Sequence, residues 1–153
     1  MGVRDPLVDA WLKGINVVHR ALFVQSGGRL GRKVMGMTVV ELHATGRTSG
    51  RRRSVMLTAP FYEPDQVVLV ASKGGDDRDP DWYRNLVANP DVELTTRGRT
   101  RSMRAHTADA TERAELWPRI VAAYRGYADY QTRTDREIPV VVLEPHRVAP
   151  PEA

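Results

Sequence analysis

The stretch "MTVVELHATGRTSGRRRSVMLTAPFY", residues 37–62, reads as two extended runs on either side of a basic turn. In "MTVVELHAT" the side chains alternate as they do in a half-buried strand, and a second strand is expected around "SVMLTAPFY". Between them "GRTSGRRR" has the glycines and short polar residues of a turn. Further along, "EPDQ" reverses the chain and "VVLVAS" forms a short, wholly apolar strand, which belongs in the middle of a sheet because both its faces need cover. "VELTT" and "TRSMRAHT" flank a "RGR" turn, and "IPVVVLEP" supplies a last apolar strand. About six short strands with few helices between them predict a mainly β fold with helices, built on an antiparallel, barrel-like sheet rather than a doubly wound one.

Helices occupy the remaining periodic segments. In residues 5–24 the apolar positions Leu7, Val8, Trp11, Leu12, Ile15, Val18 and Leu22 recur at helical spacing. The segment ends in the basic, glycine-rich joint "SGGRLGRK". Asp79 as N-cap and Pro80 at the first helical position predict a short helix running to about Asn89. A longer helix is signalled by Thr111, Glu112, Leu116, Trp117, Ile120 and Tyr124, with Pro118 marking either a kink or a break. The chain divides into residues 1–33 (helix and joint), 34–145 (one strand-rich domain) and 146–153 (a proline-bearing tail).

Composition narrows the chemistry. The 153 residues contain no cysteine, which excludes disulfides, thiolate catalysis and cysteine-ligated metals and leaves redox chemistry to a bound organic coenzyme. His19, His43, His106 and His146 are scattered without metal-ligand spacing and read as structural or solvent-exposed. No run approaches the roughly 20 apolar residues of a membrane-spanning helix, and no secretory signal is visible, so a cytosolic location is expected. The net charge of +4 is carried almost wholly by arginine, whose planar fork suits carboxylates and phosphates.

Three segments can carry function. Residues 46–53 could wrap an anion with backbone N–H groups, hydroxyls and guanidinium groups, or be an ordinary basic hairpin tip. Ser72-Lys73-Gly74-Gly75 ends an apolar strand just ahead of a helix, a place that favours anions, although Asp76, Asp77, Asp79 and Asp81 would compete there and read better as caps and solubilising charge. Tyr124, Tyr127 and Tyr130, three of only five tyrosines, are spaced to share one helix flank. They could wall a pocket or clamp a flat ring, or simply pack in the core.

Taken together, "TGRTSGRRR", "LVASKGGDDRDPDWYRNLVANPDVEL" and "ATERAELWPRIVAAYRGYADYQTRTDREIPVVVLEP" resemble the deazaflavin-dependent nitroreductase family, whose members use the reduced form of coenzyme F420. The resemblance spans roughly residues 40–145 and implies the antiparallel split β-barrel of the FMN-binding-like superfamily, with an N-terminal helix. It implies a reductase transferring a hydride from reduced F420 to a quinone-like or nitroaromatic acceptor. A non-catalytic carrier of F420 or lipid, and an FMN-dependent oxidoreductase on the same fold, are the alternatives. By position it assigns coenzyme binding to Arg47, Thr48 and Ser49, and to the strand segment Arg53, Ser54, Val55, Met56, Leu57 and Thr58. Val70, Ala71, Ser72 and Lys73 would run along the deazaflavin, and Asp81, Trp82, Tyr83, Arg84 and Asn85 would complete the groove. Tyr124, Tyr127 and Tyr130 fall around the substrate pocket, Tyr127 also near the coenzyme. Ser72 and Tyr127 are the hydroxyls expected to meet charge developing on the acceptor. A homodimer, and peripheral membrane contact through the N-terminal helix, are further expectations.

Overall fold

The computed structural model describes residues 33–34 and 36–146. The N-terminal amphipathic helix and glycine-rich joint, and most of the tail, lie outside the described residues. Eight strands form one antiparallel sheet: β1 (Lys33–Val34), β2 (Met37–Thr45), β3 (Arg52–Ala59), β4 (Phe61–Glu63), β5 (Gln66–Val70), β6 (Asp91–Thr96), β7 (Arg99–Thr107) and β8 (Val140–Pro145). The order is β1-β2-β6-β7-β8-β5-β4, with β3 on the other edge of β2. Among the described residues three α-helices accompany it: α1 (Asp81–Ala88), α2 (Ala110–Ala123) and α3 (Gly126–Thr132). β3 and β5 touch although no strand pairing joins them, so the sheet curls into a half-barrel.

The hairpin read first from the sequence is the longest ladder in the sheet, with Thr38 opposite Ala59 and Thr45 opposite Arg52. Its alternation sorts side chains cleanly. Val40, Leu42 and Ala44 enter the main core, whereas Val39 packs with Met56 on the opposite face. The expected second strand is broken at Pro60. A proline cannot donate to a ladder, so β3 stays with β2 while β4 turns to pair with β5. At the β6–β7 hairpin, Arg97 and Gly98 both take positive φ, the geometry of a two-residue turn that twists with its strands.

Two cores explain the wholly apolar strands. Val67 and Leu69 of β5, with Val141 and Leu143 of β8, fill the half-barrel; Val68, Val70, Val140 and Val142 point the other way, beneath Leu116 and Ile120 of α2 and Tyr127 of α3. β5 is hydrogen-bonded on both sides and buried on both faces, as its composition predicts.

Two boundaries differ from expectation. Helix α1 begins at Asp81, with Pro80 at the cap position and no side-chain cap bond. Asp79 is not the N-cap, because its carboxylate accepts a hydrogen bond from Arg136 Nη1 at 3.0 Å. Helix α2 is capped by Asp109, whose side chain accepts from the Glu112 amide at 2.9 Å. It runs through Pro118 without a break, the proline and Ala114 one turn earlier both lying on the exposed face where water can take the freed carbonyl.

Candidate active site

The basic loop, residues 46–51, folds on itself: the Gly46 amide donates to Arg51 O, the Gly50 amide to Gly46 O, and the Arg51 amide to Ser49 Oγ. It is anchored to α1 through Arg47. The Arg47 amide (3.1 Å) and Nη1 (2.8 Å) both donate to Asn85 Oδ1, and Nη2 reaches Asp81 Oδ1 at 3.3 Å. Asp81 and Asn85 are one helical turn apart and share the face turned to the loop. Thr48, Ser49, Arg51 and Arg53 stay exposed, so the loop offers hydroxyls and guanidinium groups to solvent at this end.

The other end is built where β5 stops. The Ala71 amide donates to Pro139 O, Ser72 is buried, and Lys73, Gly74 and Gly75 follow with φ of 45°, 64° and 85°. Left-handed backbone at three successive positions favours glycine at two of them. Gly75 needs to be glycine on steric grounds too, because a Cβ there would lie 2.8 Å from Tyr130 O and 2.9 Å from Arg133 Cβ. The turn is therefore seated directly on α3.

Helix α3 carries Tyr127 and Tyr130, and Tyr124 ends α2 beside them. The three rings meet edge to face, Tyr124 to Tyr127 at 5.3 Å, Tyr127 to Tyr130 at 6.1 Å and Tyr124 to Tyr130 at 6.3 Å between centroids. Tyr127 is the buried member, and its hydroxyl lies 3.3 Å from Thr58 Oγ1 and donates to Met37 Sδ at 3.6 Å. Burial pushes its phenol pKa above the ordinary value. Tyr130 is half exposed; its contact with the Tyr124 hydroxyl, helped by partial burial, pushes its pKa up to about 12. Both phenols are thus protonated donors at neutral pH.

The sequence-assigned residues are not all brought to one surface. In β3 the side chains of Val55 and Leu57 turn to the main core and Met56 to the other face, so one ligand cannot meet every side chain from Arg53 to Thr58. Ser54 bonds His43 Nδ1 at 2.6 Å, and His43 Nε2 bonds Thr95 Oγ1 at 2.8 Å. Arg53 and Ser54 line, with His43, Thr95 and Thr100, a hollow of about 680 Å³ to which no residue of the Ser72 turn contributes. In α1, Trp82 and Tyr83 pack on the core, the Tyr83 hydroxyl meeting Thr107 Oγ1 at 2.9 Å, while Arg84 faces solvent. His106 pairs with Glu112 and His146 with Asp91.

Sequence reasoning passed over Arg136 and Thr134, and took the four aspartates for caps and solubilising charge. Each aspartate has a partner: Asp76 takes Arg78, Asp77 accepts from Thr134, Asp79 takes Arg136 and Asp81 takes Arg47. Three of these bonds span 34 residues or more, and a single sequence contains no signal for such pairings.

The half-barrel thus carries an exposed basic loop anchored to α1 and a glycine turn seated beside three hydroxyl-bearing rings, an arrangement of a ligand-binding protein with donors for an anionic, ring-bearing ligand. Comparison with known proteins sharpens this. Residues 17–145 match the family described as F420H2-dependent quinone reductase, and the chain belongs to that family. An F420H2-dependent quinone reductase of Mycobacterium tuberculosis is 37% identical over 149 residues, covering 89% of this chain and 97% of that protein. Among solved structures, an F420H2-dependent reductase, FDR-A, is 40% identical with a TM-score of 0.63, covering 69% of this chain and 93% of its own. Another, described as a domain-swapped dimer, is 35% identical with a TM-score of 0.66, covering 89% and 98%. The protein is accordingly an oxidoreductase that depends on reduced coenzyme F420.

Proposed function

We propose that the surface running from the basic loop past the Ser72 turn to the tyrosine cluster holds reduced F420 and presents it to a quinone-class acceptor. The observation that carries the reading is the convergence at α3: the Ser72 turn sits on that helix, while β3 reaches the same helix through Thr58 and Tyr127. The residues fit the coenzyme's chemistry. Exposed guanidinium and hydroxyl groups of residues 47–53 suit its phosphate and acidic tail, and the apolar end of β5 with its glycine turn suits a flat ring.

When bound, the reduced deazaflavin supplies a hydride from C5. The chain's task is then alignment and charge stabilisation. Tyr124 and Tyr130, half exposed, can reach an acceptor directly; Tyr127, packed in the core, orders them and steadies Thr58. The Tyr130 phenol, its pKa raised to about 12, is protonated and can donate to oxygen that gains charge, as in a quinone, or to a reduced nitro group. The Ser72 hydroxyl is the second donor.

No helix among the described residues is long and apolar enough to cross a membrane. A quinone acceptor nevertheless makes contact with a membrane surface a natural extension, and the domain-swapped relative supports a homodimer. Anaerobic mixing of the protein with reduced F420 and a menaquinone analogue, followed at the absorbance of oxidised F420, tests the proposal. Turnover supports it; coenzyme binding without turnover would contradict the quinone-class acceptor, and selective use of flavin mononucleotide would contradict the coenzyme assignment.

A further inference from the structure

The Arg136 side chain is only 16% exposed, and its guanidinium spends its donors on one segment. Nε donates to Asp76 O at 2.8 Å, Nη2 to Ser72 O at 3.0 Å, and both Nη1 (3.3 Å) and Nη2 (3.2 Å) to Ala71 O, while Nη1 also meets the Asp79 carboxylate at 3.0 Å. Its neighbours reinforce the grip: Thr134 Oγ1 donates to Asp77 Oδ1 at 2.8 Å and Arg133 Nη1 to Gly74 O at 3.4 Å.

A trans peptide is planar, with its C=O and N–H pointing in opposite directions. Fixing the carbonyls of Ala71 and Ser72 on one cation therefore fixes the amides of Ser72 and Lys73 so that they point away from it. The same contacts oppose relaxation of Lys73 from its positive φ, which a lysine does not adopt by preference. Only a planar fork can serve several carbonyls and a carboxylate at once; an ammonium group cannot reproduce the array.

We infer that Arg136 is a positioning residue for the coenzyme, the group that sets the Ser72–Gly75 turn in the shape that receives the deazaflavin. The inference rests on the coenzyme reading above and adds to it a residue outside that surface. Arg113 provides the matched control. It is 17% exposed, donates to Ile138 O and to Gln131 Oε1, and pairs with Glu137, so it braces residues 131–138, which carry Arg136, without touching residues 71–79.

The test compares R136K, R136Q and R113Q in the full chain by three readouts: F420 dissociation constant without acceptor, amide exchange of residues 72–76 without coenzyme, and melting temperature. Both Arg136 variants are expected to bind F420 about tenfold more weakly and to exchange faster at the turn, whereas R113Q lowers only the melting temperature. Unchanged F420 binding by R136K overturns the role, as does equal weakening in R113Q at an equal loss of melting temperature. A wild-type chain that fails to bind F420 overturns the coenzyme reading and this role with it.

Discussion

The Tyr127 hydroxyl joins segments that are far apart in sequence, touching Thr58 of β3 and Met37 at the start of β2 while its ring packs among α2, β5 and β8. Replacing it by Phe leaves the ring and removes the donor, so Y127F should lose about 1 kcal/mol in chemical denaturation and, through the loosened order of Tyr124 and Tyr130, lower turnover more than coenzyme binding. Ser72 follows the same logic: S72A should lower turnover more than F420 affinity, and equal turnover would remove the hydroxyl from the mechanism. Tyr130 supplies a pH signature. Its pKa is raised in the folded chain to about 12, so the associated stability is present below pH about 10 and is lost as pH rises from there toward 12. Y130F should show a shallower alkaline loss in that window than the wild type. Asp76 gives the opposite sign. The Arg78 side chain, aided by the Arg78 amide and Lys73, outweighs burial and lowers its pKa to about 2. Its contribution is therefore present above pH about 3.9 and fades as pH falls toward 2, and D76N should abolish it. The tyrosine trio was singled out as one flank of a single helix; the rings do meet, but from two helices, because α2 ends at Ala123 and Tyr127 and Tyr130 lie on α3. The partners of Arg136 were not legible, because a side chain gripping carbonyls some 60 residues away leaves no periodic trace.

At the scale of elements, strand existence followed from alternation and apolar runs, and residues 37–45 match β2 end to end. Errors fell where a side chain had a distant rival partner. Asp79 has the residue type and place of an N-cap but is drawn to Arg136, so α1 starts uncapped. Pro60 looked like part of one strand and is the point where the chain leaves β2 for β5. The turn between β5 and α1 is the element whose shape matters most. G75A combines an unfavourable φ of 85° with a Cβ driven against Tyr130 O and Arg133. It should cost about 1–3 kcal/mol and weaken coenzyme binding, whereas G74A, with nothing within 4 Å of its new Cβ, should cost less. Equal effects of the two substitutions would show that the packing of the turn on α3 is unimportant.

At the scale of the molecule, β5 and β8 face two cores, one inside the half-barrel and one beneath α2 and α3. That double duty brings the end of β5, the tyrosine cluster and β3 to one place, and the Arg47 anchor brings the basic loop to the helix that follows. The barrel-like, antiparallel character was legible from strand count and spacing. Curling of the sheet into a half-barrel was not, since it depends on contacts between β3 and β5 that no strand pairing announces. The central claim is that the surface between the basic loop and the tyrosine cluster is a deazaflavin site. The most direct measurement is a titration of the protein with oxidised F420, following tryptophan fluorescence, with flavin mononucleotide in parallel; Trp82 lies in α1 and Trp117 in α2 beside the tyrosines. The account predicts saturable, stoichiometric quenching by F420 and a much weaker response to flavin mononucleotide. Equal or preferential binding of flavin mononucleotide, or no response to F420, would contradict it.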